Sequence, residues 1–198
     1  MTLSTHAFPS CPASLGVYAV VPTADWVRRT ADAGIEMVQL RYKMQDGDRA
    51  KLEAQVREAV AAGAYGVHLG QEDLDALSPA DLDALRASGL RLGASTHSDA
   101  ELQRALALKP RYVAIGAVFH TTTKPMKSAP QGLDELARYV RMAAGFPTIA
   151  IGCVNLENMR EVLKTGASSV AVVRAITEAA DPAAAIAALQ NEFAAARI

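Results

Sequence analysis

Two cysteines in 198 residues, Cys11 and Cys153, are too few for a disulfide scaffold. No apolar run reaches the roughly 18 residues of a membrane span. The start MTLSTHAFPSCPASLG lacks a basic segment followed by an apolar stretch, so no secretory signal is read there, and a cytoplasmic location is the default expectation. An excess of either charge is lacking too. The formal net charge is -1 with 21% charged and 51% apolar residues, which excludes a disordered chain and a basic nucleic-acid surface. The expected partners are therefore small molecules, with neither nucleic acid nor membrane among them. The length suits a single domain over residues 1–198, with residues 1–15 as an N-terminal extension.

Seven short apolar runs punctuate the chain: GVYAVV from Gly16, MVQLR from Met37, GVHLG from Gly66, RLGAST from Arg91, YVAIG from Tyr112, PTIAIG from Pro147 and SVAVVRA from Ser169. Several are apolar at consecutive positions, as parallel strands buried on both faces require. Between them lie helical spacings with start signals: Ser98 with Glu101 as a capping box, Ser78-Pro79 and Asp181-Pro182. The spacing fits βαβ units and allows either a barrel or an open doubly wound sheet. Polar residues follow several successive strands: Gln39, Arg41 and Lys43; His68, Gln71 and Asp73; Ser95, Thr96 and His97. An open sheet would gather them at one switch point, so a barrel is favoured. Two stretches break the rhythm. GAVFHTTTKPMKSAPQG, from Gly116, forms a long polar loop of the kind that binds ligands. Met44 to Ala64 holds one helical segment, DRAKLEAQVREAVAAGA, and no strand.

Alternation through Gln39, Arg41 and Lys43 turns two cations toward one face, which suits pyrophosphate; the plainer reading is a solvated basic strand end. Asp73, in the loop after GVHLG, is a candidate Mg²⁺ ligand or a helix cap. Thr121, Thr122, Thr123 and Lys124 offer three hydroxyls and an ammonium to a phosphate, or are simply a solvated loop. No G-x-x-x-x-G-K pattern marks a nucleotide P-loop, and His97 and His120 lack zinc-ligand spacing. The last two strands point to a phosphate site: Gly152 permits close backbone approach, and Arg174 at the end of the last strand adds a charge.

GVHLGQEDL, LGASTH, GAVFHTTTK, PTIAIG and VAVVRAIT, in that order, resemble the thiamine phosphate synthase family across nearly all the chain from Gly16 onward. The resemblance implies a TIM (β/α)8 barrel. It also implies a transferase that couples hydroxymethylpyrimidine pyrophosphate to thiazole phosphate with Mg²⁺, by a dissociative route in which pyrophosphate leaves before the thiazole nitrogen attacks. It assigns Arg41, Lys43, Ser95 and Lys124 to catalysis and Asp73 to the metal. Gln39, Arg41, Lys43, Ser95, Thr121, Thr123, Lys124, Gly152, Cys153, Val173 and Arg174 would contact substrates.

Three departures from the family stand out. Its strand ending in Asn-Asp, a source of a second metal carboxylate, has no counterpart between Lys43 and Gly66, as if about one βα unit had been removed. A barrel short of one strand would expose two unpaired edges. Cys153 stands where the family's glycine pair has its second glycine, and Arg174 where serine is usual. Two other readings stay open: a related thiazole tautomerase, which would not need the QED and TTTK features, and a non-catalytic barrel that binds thiamine intermediates.

Overall fold

The computed structural model describes residues 7–42, 49–121 and 129–197. Its strands are β1 (Val17–Val21), β2 (Met37–Leu40), β3 (Gly66–Leu69), β4 (Arg91–Thr96), β5 (Tyr112–Ile115), β6 (Thr148–Ile151) and β7 (Ser169–Val172). Its helices are α1 (Ala24–Asp32), α2 (Arg49–Ala61), α3 (Gln71–Ala76), α4 (Pro79–Ala87), α5 (Asp99–Ala107), α6 (Gly132–Met142), α7 (Met159–Lys164), α8 (Arg174–Thr177) and α9 (Pro182–Ala195). All strand pairs are parallel, in the order β2-β1-β7-β6-β5-β4-β3, and the sheet curls into a nearly closed barrel. The opening lies between β2 and β3, on either side of the stretch where the sequence lacks a strand.

Strand alternation divides the core in two. Val17, Ala19 and Val21 of β1 face outward, in a cluster with helix residues such as Leu102, Leu136 and Ile186. Tyr18 and Val20 face inward with Tyr112, Ala114, Ile149 and Ala171. Strands β1, β5 and β7 are buried along their whole length, whereas β2 and β3, which carry Gln39 and His68, are only partly covered. Among the described residues each of these two strands is paired on one side only, which adds to the difference. Helix α2 shares the deficit: it leans on α1, where the Gln55 side chain accepts from the Ala24 backbone N–H and Arg28 pairs with Glu58. Val56 and Val60 are left 48% and 60% exposed, and Tyr65, just before β3, 44%.

Residues 7–15 close the N-terminal end of the barrel. Phe8 and Leu15 are buried, the Cys11 thiol donates to the Arg111 carbonyl, and the Leu15 N–H donates to Ser169 Oγ. The opposite end, where the strands finish, is left for loops. No described helix is long and apolar enough to cross a membrane.

Candidate functional site

Polar groups from five strands meet inside the barrel. Tyr18 Oη (β1) donates to Gln39 Oε1 (β2) at 3.0 Å, and lies 3.0 Å from Tyr112 Oη (β5). Tyr112 Oη is 3.0 Å from His68 Nδ1 (β3), and His68 Nε2 is 2.8 Å from Ser95 Oγ (β4). The rings fix the geometry: Tyr112 stands edge-on to Tyr18 and stacks on His68. Gly93 makes room for them, since a Cβ there would lie 2.1 Å from Tyr112 Cζ. Burial pushes the Tyr18 hydroxyl, and after it the Tyr112 hydroxyl, well above the usual tyrosine range, so both keep their protons. Burial, reinforced by the Arg41 guanidinium and opposed by the Asp73 carboxylate, lowers His68 to about 4. The imidazole is neutral at physiological pH.

The rim around this chain carries several of the residues expected from sequence. Arg41 is exposed just beyond β2, its backbone N–H donating to the Val21 carbonyl. Ser95 is half-buried, and its carbonyl accepts from Gln71 Nε2 at 2.6 Å, tying the start of α3 to β4. Asp73 is exposed in the first turn of α3, and its Oδ2 accepts from the Gly70 N–H at 3.0 Å. That is the capping role weighed for it, in a place that still leaves the carboxylate facing solvent at the rim. Thr121 is half-buried at the edge of the described residues. Lys43, Thr122, Thr123 and Lys124 lie outside them. His97 and its backbone N–H both engage Glu101, so Glu101 reaches back to His97 and not to Ser98 as the capping-box pattern implied. Ser98 still caps α5 by accepting from the Glu101 N–H.

The loops after β6 and β7 come together. Gly152 has φ +116°, and a Cβ there would lie 2.7 Å from the Ala117 Cα and the Val118 N. Cys153 follows with φ +53°, and its Sγ accepts from Arg174 Nη2 at 3.3 Å. Arg174 does not end the last strand: the chain turns at Val173 (φ -124°, ψ -85°), and Arg174 opens α8. Val173 packs against the inner cluster. Sequence reading missed the two tyrosines, which look like ordinary core residues in GVYAVV and YVAIG. Their shared inward register with His68 and Ser95 was the available signal.

Mg²⁺ is held by one or two carboxylates together with substrate phosphate oxygens. Among the described residues no group of three His, Cys, Asp or Glu gathers as a metal cluster. Asp73 supplies a carboxylate at the rim, which fits a site that relies on substrate oxygens for its remaining donors.

The thiamine monophosphate synthase family model matches residues 52–176. The chain is 54% identical to a thiamine-phosphate synthase of Neisseria meningitidis serogroup B, over 92% of this chain and 97% of the relative. It is 49% identical to that of Escherichia coli O9:H4, over 88% and 90%. Among solved structures, thiamine phosphate pyrophosphorylase from Pyrococcus furiosus superposes with a TM-score of 0.74 at 29% identity, covering 92% of this chain and 96% of that one. The Neisseria alignment runs over 201 positions, whereas 92% of 198 residues is about 182, so about 19 aligned positions have no residue here. That is about the size of one average strand plus one average helix. The sheet has its opening between β2 and β3.

Proposed function

The chain belongs to the thiamine monophosphate synthase family, and from that premise we propose that it couples hydroxymethylpyrimidine pyrophosphate to thiazole phosphate, releasing pyrophosphate and forming thiamine phosphate. One observation carries the reading onto this molecule: Gln39, Ser95, Arg41, Asp73 and the Cys153–Arg174 pair all sit at or near the strand ends of one barrel mouth. In this reading the bond between the pyrimidine methylene carbon and the pyrophosphate oxygen breaks, both electrons leaving with oxygen. The thiazole nitrogen lone pair then forms the new bond to that carbon. No protein nucleophile is required.

The side chains supply charge and orientation. The cations of Arg41, Lys43 and Lys124 would stabilise the charge that grows on the departing pyrophosphate as the bond breaks. Gln39 and Ser95 orient the pyrimidine. Gly152 and Arg174 receive the thiazole phosphate, with Thr121 and Thr123 at phosphate oxygens and Val173 against the substrate. Asp73 would hold Mg²⁺, which when bound neutralises phosphate oxygens.

The test is pyrophosphate release by the purified chain given both substrates and Mg²⁺. One thiamine phosphate per pyrophosphate is expected, and Lys124→Ala should slow turnover by about a hundredfold. Wild-type turnover in that variant would remove Lys124 from the reaction. The open edge between β2 and β3 in the described residues favours the non-catalytic barrel as the second reading; tight binding of both substrates with no pyrophosphate formed would establish it.

A further inference from the structure

The five-group chain inside the barrel has a direction, and the direction follows from the end with least choice. Gln39 turns its carbonyl oxygen to Tyr18, and a carbonyl oxygen only accepts. Tyr18 therefore gives its one proton to Gln39. The 3.0 Å contact between the two tyrosines must then carry the Tyr112 proton to Tyr18. With that proton committed, the 3.0 Å contact between Tyr112 and His68 must carry the Nδ1–H of the imidazole. A neutral ring has one N–H, so Nε2 is left with a lone pair, and the 2.8 Å contact carries the Ser95 hydroxyl proton to it.

We propose that Tyr18, Tyr112 and His68 are positioning residues that transmit the acceptor end of Gln39 across the barrel. Ser95 thereby presents lone pairs, and not its proton, to the bound molecule. The site takes a ligand with an N–H or O–H donor against Ser95 and disfavours one that offers a carbonyl or bare ring nitrogen there. The relay also couples two rim positions: a ligand that turned the Gln39 amide over would reverse each hydrogen bond and convert Ser95 into a donor. That Ser95 touches the pyrimidine rests on the function proposed above; the direction of the relay does not.

Tyr18 touches neither His68 nor Ser95 through these bonds, so Tyr18→Phe is the informative variant. Without the Tyr18 oxygen, Tyr112 can give its proton only to His68 Nδ1, and the ring must carry its proton on Nε2. Nitrogen NMR of protein labelled at histidine, with His68→Gln to assign the signal, should show a protonated Nδ1 in the wild-type chain and a protonated Nε2 in Tyr18→Phe. Calorimetry should show the pyrimidine pyrophosphate binding about tenfold more weakly to that variant, the size of one well-placed hydrogen bond. A protonated Nε2 in the wild-type chain overturns the relay, even if the variant does not fold. A tautomer switch with unchanged affinity overturns the positioning role. A wild-type chain that binds the pyrimidine pyrophosphate without turning it over, with the tautomer as expected, sinks the synthase reading and leaves the relay standing.

Discussion

His68 hydrogen-bonds two hydroxyls, those of Tyr112 and Ser95, inside the barrel, where neither can neutralise a proton taken up by the ring. Its value of about 4 against an ordinary 6.5 has a consequence for stability. Between those values the unfolded chain binds a proton that the folded chain refuses, so stability falls as pH drops through that window. The loss reaches about 2 kcal/mol by pH 5. Urea unfolding at pH 7 and pH 5 should therefore show a smaller drop for His68→Gln than for the wild-type chain; equal drops would mean that the ring charges freely in the folded state. From sequence, His68 was visible as a polar residue near a strand end, because a charged or polar group breaks an apolar run. Tyr18 and Tyr112 were not, because a tyrosine within an apolar strand is most often core, and only the three-dimensional register brings both hydroxyls to the imidazole. The 2.1 Å clearance that makes Gly93 necessary is equally silent in LGAST, where any small residue would suit a buried strand.

At the scale of elements, the loops after β6 and β7 show what a side chain costs in the left-handed region. Cys153 occupies the left-handed region at φ +53°, a conformation in which a Cβ crowds the following carbonyl. Its sulfur meets Arg174 Nη2, which spends one guanidinium donor within the protein. Cys153→Gly should relieve the backbone and stabilise the fold by about 1 kcal/mol, read as a higher urea midpoint. The same change should tighten binding of the thiazole phosphate as Arg174 is released from the sulfur. A lower midpoint would show that the Cys153–Arg174 contact outweighs the strain. The sequence located this pair but misplaced Arg174, since SVAVVRA reads as one continuous strand and nothing in its composition marks the turn at Val173. Helix starts were more legible. Ser78 and Asp181 each accept from the backbone N–H three residues on, with proline at the first helical turn, because capping chemistry is local.

At the scale of the whole molecule, the described residues form a barrel with one side open, and this was the feature most legible in advance. Seven apolar runs became seven parallel strands, and the stretch without a strand became the gap, because a strand buried on both faces must be apolar throughout. What composition could not show is how the chain distributes the loss. The partial exposure of β2 and β3, together with Val56, Val60 and Tyr65, concentrates it on one side, while β1, β5 and β7 keep full burial. Edge strands with free N–H and C=O groups open more readily than interior ones and invite pairing with other chains. Insertion of the βα unit of the Neisseria meningitidis relative between α2 and β3 should give β2 and β3 the neighbour they lack, since α2 then serves as the crossover from β2 to the new strand. Amide hydrogen exchange in those two strands should then slow by about a hundredfold or more, with little change in β5 and β7, which are paired on both sides already. The urea dependence of unfolding should steepen as more surface is buried in the folded state. If β2 and β3 of the natural chain already exchange as slowly as β5, their edges are covered in solution, and a concentration series of the same measurement separates a second copy from a cover within the chain. Protection that rises with concentration means a second copy; constant protection means the barrel closes on itself.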